Sequence, residues 1–98
     1  MTSYTEIIRL ATLSCKPNLS LTELKELDYG LNEIGDAASR LVVMARKLMK
    51  GQPFRVLSHD TEILREYRAL GKALGAQVNV VERDDWPTEL HFTPRLTQ

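Results

Sequence analysis

Few residues of this chain have the chemistry for catalysis. Ser58, His59 and Asp60 are consecutive and have the residue types of a hydrolase triad. A triad works because its side chains converge from separate parts of a chain. Neighbours at a strand end point in different directions, so His59 reads as a loop residue and Asp60 as a helix cap. Cys15 is the single cysteine, which excludes an internal disulfide and any multi-cysteine metal site. Lys16 beside it is the kind of neighbour that activates a thiol. The competing reading is a small apolar residue packed at a segment end. His91 alternates with Leu90 and Phe92, which places it on the solvent side of a strand. With Cys15 it makes no metal-ligand spacing. No catalytic residue, metal or cofactor is expected.

Charge offers a second kind of site. Arg40, Arg46, Lys47, Lys50 and Arg55 fall in a stretch, residues 37–59, that contains no acid. The acids gather at Glu23, Glu26, Asp28 and Glu33, and again at Glu82, Asp84, Asp85 and Glu89. Lysine plus arginine equals aspartate plus glutamate, 13 each, so no global field draws the chain to nucleic acid or anionic membrane. A basic stripe can still dock an acidic surface or touch phosphates; a merely solvated helix face is the alternative. Nucleic-acid binding would call for aromatics beside the cations. The candidates Tyr29, Phe54 and Trp86 lie off that stripe. Trp86, in a polar turn, either caps a sheet edge or anchors a partner.

The elements that must position these residues follow from pattern. At 98 residues the chain has room for one domain with a modest core. Residues 4–14 place Tyr4, Ile7, Ile8 and Ala11 on one helical face, although the β-branched pair also suits a strand. Cys15 to Asn18 reads as a break before proline. Ser20 and Glu23 have capping-box spacing, whereas Leu27, Tyr29 and Leu31 alternate as in a strand. A strand is expected near 26–33, with 20–25 left open. Asp36 is expected to cap a helix over 37–50 with an apolar stripe of Leu41, Ala45 and Leu48, widened by Val42 and Met49. Gly51 and Pro53 stop it. A strand at 54–58 follows, then a helix at 61–74 capped by Asp60 and facing inward with Ile63, Tyr67, Leu70 and Leu74, ended by Gly75. Residues 77–82 and 89–93 should pair as an antiparallel hairpin across a polar connection at 83–87. Pro94 ends the ladder.

Gly35, Val42, Met44, Arg46 and Lys47 fit a known pattern, in which a strand and a glycine lead into a helix carrying an Arg-Lys pair. The stretch resembles the opening of the TusA/SirA-like sulfur carriers, over roughly residues 27–93. Asp60 and Arg65-Glu66 match the family's second helix. The family's Cys-Pro-x-Pro motif is replaced by Ala38-Ser39-Arg40-Leu41. The resemblance implies a two-layer α/β sandwich of order β-α-β-α-β-β over residues 26–94, with an N-terminal extension at 1–25 and a loose tail at 95–98. Ala38 cannot carry a persulfide, and the Ser39 hydroxyl is no substitute.

Three functional readings follow. The first is a non-catalytic relative of the carriers that acts by contact with a protein partner through Arg40, Arg46, Lys47, Lys50 and Trp86. The second is a thiol carrier using Cys15, which requires that thiol near the start of the helix at 37–50. The third is a small nucleic-acid-binding domain using the basic helix. A cytoplasmic location is expected: no apolar run approaches the ~20 residues of a membrane span, and the first residues lack a secretory pattern.

Overall fold

The computed structural model describes residues 3–84 and 86–95. Those residues form a small mixed α/β protein with three helices and a three-stranded antiparallel sheet. Their order is α1 (Tyr4–Ser14), α2 (Leu21–Met49), β1 (Phe54–Ser58), α3 (Thr61–Ala73), β2 (Gln77–Arg83) and β3 (Trp86–Thr93). The chain divides into two compact units, residues 1–46 and 47–98. The extension boundary expected after residue 25 falls inside α2.

In the first unit, Ser3 caps α1, its hydroxyl accepting from the Glu6 amide at 3.2 Å. Ile7, Leu10 and Ala11 are buried. The strand expected at 26–33 is helix, part of α2. The cause is local. Glu23 N–H donates to Ser20 Oγ at 3.2 Å, and Ser20 N–H donates to the Glu23 carboxylate at 3.1 Å. This reciprocal box satisfies two donors that a helix start would otherwise leave open. Arg9 of α1 then reaches Glu26 at 2.6 Å, and Lys16 pairs with Glu23. Close approach of the two helices is set by Gly30, which is buried. A β-carbon there would lie 2.6 Å from Leu10 Cδ2.

α2 is not one straight helix. Gly35 sits at φ 83° and ψ 174°, a region essentially reserved for glycine. The break therefore falls one residue before the expected cap, Asp36. Beyond it Leu41, Val42, Met44 and Ala45 are buried. Met44 is fully buried, whereas Met49, expected in the stripe, is exposed.

In the second unit, Leu48 is buried and the α2 helix stops as expected at Gly51, where Gln52 N–H returns to the Lys47 carbonyl at 2.9 Å. The sheet order is β1-β3-β2, so β3 is central. Phe54 aligns with Phe92 and then Val78, and Val56 with Leu90 and then Val80. Side chains alternate along a strand, so these six share one face. α3 contributes Leu64, Tyr67 and Leu70 to the buried set. Tyr67 stacks on Phe54 with ring centroids 6.1 Å apart. Ile63, expected inside, is 41% exposed, and Leu64 takes its place. The helix is thus turned slightly from the expected face.

The hairpin is longer than expected. β2 runs to Arg83 and β3 begins at Trp86, so both strands extend into the connection expected at 83–87. Trp86 opens a strand, its backbone in register with Arg83, and does not lie in the loop. Pro87 is tolerated on a central strand because it sits beside the register shift between Val81 and Arg83. It also lies past the last β1 pair, Ser58 with Thr88. Asp85 and most of the expected tail, residues 96–98, lie outside the described residues.

Candidate functional site

Ser58, His59 and Asp60 form a helix entry. Asp60 Oδ1 accepts from the Glu62 amide at 2.9 Å and the Ile63 amide at 3.4 Å, and Ser58 Oγ accepts from the Asp60 amide at 3.0 Å. The aspartate and the serine are occupied by backbone, and His59 is exposed. His91 pairs with Glu89 on the sheet face opposite Phe92. Ser39 is half-buried, its hydroxyl donating to the Leu31 carbonyl at 3.2 Å.

Cys15 is half-buried at the C-cap of α1, and its Sγ approaches the Arg46 carbonyl at 3.9 Å. The carrier reading needs the thiol where the helix restarts after Gly35. The thiol lies instead beside the far end of that run.

The expected basic set is dispersed in role. Arg40 and Lys50 are exposed, and Arg46 is half-buried. Lys47 is also half-buried, with its ammonium 5.8 Å from the Phe54 ring centroid. That geometry is a cation–π contact, which contributes about 0.5–1 kcal/mol at such a site. Lys47 is therefore tied into the packing of Phe54 and Tyr67. Trp86 stands at the start of β3, paired with Arg83.

The second unit contains a different constellation, which the linear charge count hides. A groove of about 550 Å³ runs between α3 and the β2 side of the sheet. Its helical wall carries Arg65, Arg68 and Lys72. Their steps of three and four residues put them on one line along the helix. The floor is Val78, Val80 and Leu90, with Glu82 lining the groove as well. Leu90 is fully buried, but Val80 is 42% exposed, so apolar surface is left open beneath the cations. Arg65 bonds Glu62 at 3.2 Å. Among the described residues no ion pair joins Arg68 or Lys72 to a carboxylate.

The sequence holds a signal for this line. Glu62 and Glu66 interleave with Arg65 and Arg68, so a running sum cancels. On a helical projection at about 100° per residue, the three cations cluster and the two acids lie to one side.

Among the described residues no set of three or more metal-ligating side chains converges, and no helix is long and apolar enough to cross a membrane. The groove sets three cations beside open apolar surface. No family model, curated protein or solved structure matches the chain.

Proposed function

We propose that this chain is a non-catalytic docking domain that binds an acidic protein partner in the groove between α3 and β2. One observation carries the reading: the line of Arg65, Arg68 and Lys72 stands over an apolar floor that keeps Val80 open. Unpaired surface cations give steering and selectivity for an acidic surface. The apolar strip beneath adds affinity that charge alone does not supply. Lys47 drops out of the docking set because Phe54 engages it. Arg40 and Lys50 stay available as outlying cations.

The resemblance to the TusA/SirA-like carriers belongs to the same proposal. The portion that supports it is β1-α3-β2-β3, the last four elements of the expected order. A relative that docks without transferring sulfur is consistent with Ala38-Ser39-Arg40-Leu41 in the place of the reactive motif.

The test is selection of a random phage-displayed peptide library on the folded chain, followed by rebinding to an Arg68→Glu/Lys72→Glu variant. Both residues are exposed, so the variant should keep the wild-type circular dichroism spectrum and melting temperature. Enriched peptides should be acidic and should lose binding to the variant. No enrichment, or peptides that bind both proteins equally, would show that the groove is not a docking site.

A further inference from the structure

We propose that the partner segment binds as an added β-strand on the free edge of β2, with alternate acidic side chains turned into the groove under α3. This rests on the docking reading and specifies its geometry.

Three observations lead there. In the sheet order β1-β3-β2, strand β2 pairs with β3 on one side only. A half-paired strand presents a row of main-chain donors and acceptors on its other side. The groove lies beside this strand and is lined by its alternate residues Val78, Val80 and Glu82. An extended segment laid along β2 would place its own alternate side chains on that same face. The cations of α3 line the same groove, so those side chains would meet Arg65, Arg68 and Lys72.

The register is limited at both ends. The β2–β3 pairing is regular from Gln77 to Val81 and then shifts before Arg83. A shift of this kind bends and twists the strand, so an added strand should follow β2 only to about Val81. The chain reverses over residues 74–76 between α3 and β2. Lys72 therefore stands toward the start of β2 and Arg65 toward its far end, where Glu82 lies. Acidic side chains fit opposite Val78 and Val80, and are repelled at Glu82. The β1 edge offers no such match, since the groove is lined by residues of α3, β2 and β3 and by none of β1.

The occupant is an acidic, extended peptide segment. The probe is the tightest acidic peptide from the library selection, made in three forms: unmodified, N-methylated on its odd residues, and N-methylated on its even residues. N-methylation removes a main-chain donor without touching charge. Along a strand, alternate amides face one neighbour. One methylated form should therefore lose about tenfold or more in affinity, and the other should stay close to the parent. Amide exchange should slow in residues 77–81 when the parent peptide binds.

If the peptide binds in a manner dependent on Arg68 and Lys72 but both methylated forms bind like the parent, strand addition is wrong and docking by charge survives. Failure of the parent peptide to respond to charge reversal defeats the docking reading itself. Equal loss in both forms, displacement of the peptide by single-stranded RNA at equal concentration, or protection of residues 77–81 through self-association without peptide would each overturn strand addition.

Discussion

The Ser39 hydroxyl donates to the Leu31 carbonyl at 3.2 Å across Gly35. In an unbroken helix, residues eight apart are separated by about 12 Å along the axis. The bond is therefore possible only because Gly35 turns the chain, at φ 83° and ψ 174°. Nothing lies within 4 Å of a β-carbon built on Gly35, so the cost of a side chain there is backbone strain alone. Gly35→Ala should lower unfolding stability by about 1–3 kcal/mol, read by urea denaturation. A variant as stable as wild type would mean that the turn does not require this backbone geometry. Ser39→Ala, which removes only the hydroxyl bond, should cost about 1 kcal/mol.

Gly30 poses the opposite problem, with room for its backbone but not for a side chain. A methyl at Gly30 would meet Leu10 Cδ2 at 2.6 Å, and Leu10 is fully buried. Alanine in a helix interior gains about 1 kcal/mol over glycine. Overpacking a filled core costs about 1–3 kcal/mol. The clash should win, giving a net loss of about 1 kcal/mol for Gly30→Ala. In a Leu10→Ala background the clash is gone, and the same change should become neutral or stabilising. Additive effects of the two substitutions would disprove the contact.

How much of this was legible in the sequence differs from element to element. The cap at Asp60, the stop at Gly51 and the two strands of the hairpin were readable because each depends on local chemistry. The box at Ser20 and Glu23 was readable too, yet a strand was expected right after it. Leu27, Tyr29 and Leu31 alternate, but Leu27, Leu31 and Ile34 also recur at helical steps, and all three are half-buried whereas Tyr29 is 68% exposed. Periodicity alone could not arbitrate; the ion pairs of Glu23 and Glu26 and the contact of Gly30 with Leu10 are tertiary. The groove is not legible in the sequence for a related reason. Its cations lie on α3, its floor on β2 and β3, and only the sheet order brings them together.

Acid should loosen the first unit. Glu23 is held below its ordinary value of 4.5, first by the hydrogen bond from Lys16 and then by the Ser20 amide. Glu6 is lowered chiefly by the hydrogen bond from Arg9, whose own value is raised by the same contact. Folded carboxylates with depressed values bind fewer protons than unfolded ones. Their contribution is complete above the ordinary glutamate value and is lost as pH falls through the depressed one. Both groups are solvent-exposed, so the effect is small. Thermal unfolding followed from neutral pH downward should show stability declining below about pH 4.5. Glu23→Gln keeps a capping-box acceptor and removes the charge, so it should flatten that decline. An unchanged slope would mean that the Lys16 pair does not persist in solution.

Lys47 and Lys72 should separate packing from docking, although each is one lysine on a helix. Lys47 sits over the Phe54 ring, which in turn stacks on Tyr67. Lys72 is exposed on the groove wall. Lys47→Glu exchanges a cation–π attraction for an anion against the ring face, and should cost about 1 kcal/mol of stability. Its effect on binding of an acidic peptide should be small. Lys72→Glu should leave unfolding within about 0.5 kcal/mol of wild type and weaken the same peptide severalfold, with the loss shrinking as salt screens the pair. The two variants measured side by side, by urea denaturation and by fluorescence anisotropy with the labelled peptide, give opposite patterns if the groove is the docking surface. If instead Lys47→Glu abolished binding at unchanged stability, the basic run from Arg40 to Lys50 would be the contact surface and the α3 groove would lose its assignment.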